Sequence, residues 1–131
     1  MIVDTSAWIE FLRSTGSRAD VALQKAFKNA DVIWIPEVVY REVLQGAANP
    51  RHLIELQNAL DDMRHYFSPD PFELACNASL LYARCRWQGI TIRSPNDCLI
   101  AACAIESGEP LLHADRDFVT LAFIDPRLKL L

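Results

Sequence analysis

Short runs of branched apolar residues alternate along this chain with longer stretches whose apolar positions recur every three or four residues. "MIVD" reads as a buried strand and "SAWIEFLR" as a helix with Ser6 as its N-cap, and a second helix is predicted from about Arg18 to Lys28. "VIWI" is a β-rich run ended by Pro36, which suits the first turn of a helix running to Gly46. Asn49-Pro50 opens a helix of about 14 residues, and "HYF" reads as a short strand. Asp70-Pro71 joins a cap to a first-turn proline; the helix it opens carries the stripe Ala75, Ala78, Tyr82 and Cys85 and stops near Gly89. Ser94-Pro95 repeats the device for "NDCLIAACAIES", closed by Gly108. "PLLHAD" then reads as a strand leaving the core, "DFVTLAF" as a short helix and "RLKLL" as a last strand.

Short apolar strands alternating with helices predict an α/β fold with a central, mainly parallel β-sheet flanked by helices on both faces. At 131 residues the chain suits one domain spanning 1–131. In such sheets function gathers at the carboxyl ends of the strands, and Asp4 stands at the end of the first.

Composition narrows the class. With 51% hydrophobic and 23% charged residues and no apolar run long enough to span a bilayer, the chain reads as a soluble globular protein. The start has neither a basic leader nor a long apolar run before a small-residue cleavage site, so a cytoplasmic location is expected. Cys76, Cys85, Cys98 and Cys103 fall inside apolar helical patterns without a C-x-x-C pair, which predicts buried free thiols. The net charge of −4 argues against bulk nonspecific nucleic-acid binding, although acids committed to a bound cation would reverse the local sign.

The acids carry the chemistry. Glu42 falls within the apolar stripe set by Ile35, Val38, Val39 and Val43, where a carboxylate must find a metal, a base or a cleft unless the helix is rotated to solvate it. Asp97 opens a helix that is apolar all round, where the positive end of the dipole favours its charged form; acids at helix starts are also ordinary stabilisers. Asp115 and Asp117 follow a strand, with Asp117 suited to cap the next helix and Asp115 the better site candidate. His113 is expected to pack rather than to react. Brought together, Asp4, Glu42, Asp97 and Asp115 suit a hard cation, Mg²⁺ or Mn²⁺, and phosphodiester hydrolysis.

"MIVDTSAWIEFL", "PEVVYREVLQG" and "SPNDCLIAACAIESGEPLLHADRDF", in this order and over nearly the whole chain, resemble the PIN-domain family, and within it the VapC-type ribonuclease toxins of toxin–antitoxin pairs. The resemblance implies metal-dependent RNA cleavage with Asp4, Glu42, Asp97 and Asp115 as catalytic acids and metal ligands, Asp117 in reserve and Ser6 supporting Asp4. It also implies a homodimer and a VapB-like antitoxin whose tail occupies the acidic cleft. Arg13, Arg41, Arg84, Arg86, Arg93 and Arg116 lie near the motifs and could form a basic rim for RNA phosphates, or a merely solvated surface. Trp8 and Trp34 read as core residues, while Trp87 could stack a base. The competing readings are a DNA or flap nuclease, a noncatalytic PIN-like interaction module, and a phosphatase using Asp4 as nucleophile. The last lacks a second acid two residues beyond Asp4.

Overall fold

The computed structural model describes residues 1–131. Ile2 and Val3 are fully buried and form the short central strand β1 (Ile2–Val3). Two helices follow, α1 (Thr5–Leu12) and α2 (Arg18–Lys28), before β2 (Trp34–Pro36). A second helix pair, α3 (Glu37–Gln45) and α4 (Pro50–Asp61), leads to β3 (Arg64–Tyr66). A third, α5 (Pro71–Trp87) and α6 (Pro95–Ser107), leads to β4 (Leu111–Leu112), and α7 (Asp117–Ile124) comes last.

The sheet order is β3-β2-β1-β4 with every pairing parallel, Ile2 lying between Trp34 and Leu111 and Val3 beside Leu112. Parallel strands require crossovers, which the helix pairs supply. Because all four strands run the same way, the ends of β1 and β4 open on one edge of the sheet. Helices α1 to α4 pack as one group and α5 to α7 as another, and α3 meets α6 between them. No helix is long and apolar enough to cross a membrane.

One cluster of 31 buried hydrophobic residues forms the core. Helix α6 is its most enclosed helix, with Cys98, Ile100, Ala101, Ala102, Cys103 and Ala104 buried. Its alanines bring the backbone close to α5, its principal neighbour. Gly108 closes it at φ 70°, the left-handed conformation that a residue without Cβ adopts freely.

Several sequence expectations need correction. Asp4, not Ser6, is the N-cap of α1, because its carboxylate reaches the Ser6 N–H. Pro36 ends β2 and precedes the helix rather than lying in its first turn. On α5 the buried stripe is Leu74, Ala78, Leu81 and Cys85, with Ala75 exposed and Tyr82 partly buried. "RLKLL" forms a single parallel bridge, Leu111 to Leu130, instead of a strand. Cys76 is exposed, whereas the other three cysteines are buried; all four are free.

The packing of α6 yields a test. Ala101→Leu adds volume at a fully buried position and should cost about 1–3 kcal/mol, read as a lower urea midpoint; an unchanged midpoint would mean the helix has room to spare.

Candidate functional site

Asp4 leaves the core at the end of β1, only 3% exposed. Its Oδ2 accepts the Ser6 N–H at 2.8 Å and the Ser6 hydroxyl, whose oxygen accepts the Ala114 N–H at 2.9 Å. Ser6 thus ties the ends of β1 and β4 together through the aspartate. Burial pushes the Asp4 carboxyl up to about 6, aided by the Glu42 charge and opposed by the bonds from Ser6.

Glu42 lies at the edge of the α3 stripe, partly buried beside buried Val38, Val39 and Val43. Thr5 Oγ1 donates to its Oε2 and Asn96 Nδ2 to its Oε1, each at 2.6 Å. Two neutral donors hold this carboxylate without neutralising it. The cradle joins three helices, since Thr5 opens α1 and Asn96 lies in the first turn of α6.

Asp97 follows Asn96 and is pushed up to about 7, first by burial and then by the charges of Asp4, Asp115, Asp117 and Glu42. No hydrogen bond contributes to this shift. Lost solvation and four like charges thus act against the α6 dipole that favours the charged form of Asp97.

Asp115, rather than Asp117, supplies the carboxylate at the entry to α7. The Asp115 Oδ1 accepts the Asp117 N–H at 2.9 Å and so caps the entry to α7. Asp117 is the first helical residue rather than the cap, and only 8% exposed. Arg93 binds both acids. Its Nη2 donates to Asp115 at 2.5 and 2.7 Å, and its backbone N–H and Nε each donate to Asp117 Oδ2 at 3.1 Å. His113 packs near Phe118, with Nδ1 2.7 Å from the Asp115 carbonyl oxygen, and burial pushes its pKa down.

Arg93 is thus bound to acids rather than standing free for RNA. Arg41 pairs weakly with Glu37 at 3.8 Å, and Arg84 binds Asp125 and the Ile124 carbonyl. Arg13, Arg86 and Arg116 are exposed. Trp8 is buried and Trp34 partly so, the latter under Arg64 at 5.6 Å, while Trp87 is 70% exposed. A cavity lined by Arg84, Asp125 and Arg127 shares none of the five acids.

The side chains as they stand bring no three His, Cys, Asp or Glu groups close enough to hold one ion. The donor type nonetheless fits a hard divalent cation, being all carboxylate oxygen, and so does the uncompensated charge felt by Asp97. Sequence reasoning missed Thr5 and Asn96 as supports of Glu42. The only signal was a hydroxyl and an amide directly beside acids, in "DTS" and "PND".

An all-parallel α/β sheet with acids collected at the ends of β1 and β4 is the arrangement of a PIN domain, and the PIN domain family model matches residues 1–124. The chain is 35% identical over 125 residues to VapC ribonuclease Mb1587 of Mycobacterium bovis, covering 95% of this chain and 92% of that protein. Ribonuclease VapC11 of Mycobacterium tuberculosis matches with the same identity and coverage. The chain therefore belongs to the VapC branch of the PIN-domain family. Two solved structures share its fold. VapBC2 from Rickettsia felis, bound to a DNA fragment from their promoter, gives a TM-score of 0.75 at 20% identity over 99% of this chain and 96% of that one. FitAcB from Neisseria gonorrhoeae gives 0.66 at 17% identity over 98% and 94%.

The raised carboxyls set a pH dependence. Between the unfolded value near 3.8 and about 7, folded Asp97 retains a proton that the unfolded chain has lost, so its contribution to stability falls as pH rises through this window. Without metal, Asp97→Asn should melt several degrees above the wild type at about pH 8 and show little difference at about pH 4. Equal melting temperatures at both pH values would mean that Asp97 is solvated.

Proposed function

We propose that this chain is a Mg²⁺- or Mn²⁺-dependent endoribonuclease, the toxin of a VapBC-like toxin–antitoxin pair acting in the cytoplasm. The observation that carries this reading is Asp97: a carboxylate at the entrance of the buried helix α6, pushed up to about 7 and surrounded by the charges of four other acids. Such a group is poised to exchange its proton for a cation.

Asp4 and Asp97 would hold the metal directly, with Glu42 and Asp115 completing the cage partly through water and Asp117 in reserve. A divalent cation there would supply a Lewis acid and an activated water for in-line attack on a phosphodiester. The chain's own part is positional. Ser6 aims Asp4, while Thr5 and Asn96 aim Glu42. Exposed Arg13, Arg41 and Arg116 provide cations for RNA phosphates around the acidic centre.

The ribonuclease names of the relatives support RNA as substrate, and the VapBC2 neighbour supports a VapB-like antitoxin. An arginine on that partner would find carboxylates to pair with. A homodimer belongs to the same reading.

Mn²⁺ titrated into the purified protein and followed by electron paramagnetic resonance should bind saturably, and Asp97→Asn should bind it more weakly. On structured RNA the same substitution should lower the cleavage rate by roughly a hundredfold or more while leaving cooperative unfolding intact. A folded wild type that binds no Mn²⁺ and cuts no RNA would leave the noncatalytic interaction module in its place. Cleavage confined to DNA would favour the DNA-nuclease reading.

A further inference from the structure

We propose that Arg93 is a built-in counter-cation of the site: it holds Asp115 and Asp117 while no metal is bound, and a divalent cation must compete with it for them. The inference rests on the metal-centre reading given above. Among the five acids, only Asp115 and Asp117 have a basic partner, and both have the same one.

The geometry is that of a strap. Arg93 lies in the segment entering α6, the segment that also supplies Asn96 and Asp97, and its partners stand 22 and 24 residues further along the chain at the entry to α7. Three of its groups are engaged, the backbone N–H, Nε and Nη2. Nη2 lies within hydrogen-bond distance of both oxygens of Asp115, which leaves that carboxylate committed to the guanidinium.

Exposure decides which partner can yield. The Arg93 side chain is 59% exposed, whereas the carboxylates it holds are 29% and 11% exposed. Asp117 is anchored by burial and Asp115 by the α7 N–H, so the acids stay and the arginine is the group free to swing into water. Water at the arginine end of both pairs screens them, which keeps that motion accessible.

A positive charge directly on two carboxylates of a cation site lowers its affinity for another cation. The strap also restrains those carboxylates while the site lacks metal. Arg93 therefore trades metal affinity against the repulsion of acids that would otherwise face one another unpaired. A purely structural residue has a different signature, since its loss would loosen the site and weaken metal binding.

The test measures Mn²⁺ dissociation constants by electron paramagnetic resonance for the wild type, Arg93→Gln and Arg93→Lys, together with metal-free melting temperatures. Arg93→Gln should bind Mn²⁺ roughly tenfold more tightly while melting lower without metal. Arg93→Lys, whose ammonium cannot reproduce the guanidinium fork, should gain a few-fold in affinity, and it carries the test if the glutamine variant fails to fold. Wild-type or weaker Mn²⁺ affinity in folded variants would overturn the role of Arg93 and leave the metal centre standing. Absence of Mn²⁺ binding by the wild type itself would overturn both.

Discussion

Like charge gathered at one edge of a parallel sheet is the constraint on which the rest of this structure depends. Asp4, Glu42, Asp97, Asp115 and Asp117 come from β1, α3, α6, the turn after β4 and α7, and their fields overlap at Asp97. Burial and mutual repulsion both oppose ionisation there. Each of the other four acids has its own relief: Ser6 for Asp4, Thr5 and Asn96 for Glu42, and Arg93 for Asp115 and Asp117. Asp97 has none, and burial together with the four like charges pushes its carboxyl up to about 7.

The fold meets the cost of this arrangement elsewhere. Helix α6 offers little to solvent, and its buried alanines and cysteines anchor the turn that carries Asn96 and Asp97. Central strand β1, both of whose residues are buried, anchors Asp4 in the same way. Acids on such rigid supports have little freedom to relax apart. The shortness of β1 and β4 brings the charged edge close to the centre of the sheet.

The site also bridges the two helix groups. Asp4, Thr5 and Glu42 belong to the α1–α4 side, while Arg93, Asn96, Asp97 and Asp117 belong to the α5–α7 side. The Asn96–Glu42 bond and the Ser6–Ala114 bond cross between segments more than fifty residues apart. Packing of α3 on α6 therefore helps to set the spacing of the carboxylates.

Much was legible in the sequence because its signals are local. Alternating short apolar runs and helical stripes, punctuated by Asn49-Pro50, Asp70-Pro71 and Ser94-Pro95, locate nearly all the elements, since a cap and a first-turn proline act within a few residues of chain. The ordered acidic motifs likewise mark the PIN-domain family without any coordinates. What each polar side chain touches depends on contacts between distant segments, and periodicity carries no record of these. Only the tertiary structure decided that Thr5 and Asn96 cradle Glu42, that Asp115 caps α7 while Asp117 is buried, and that Arg93 binds acids instead of standing free for RNA. It likewise set the surroundings of Asp97: local chemistry offered a helix dipole favouring the anion, and the assembled site set against it burial and four like charges drawn from across the fold.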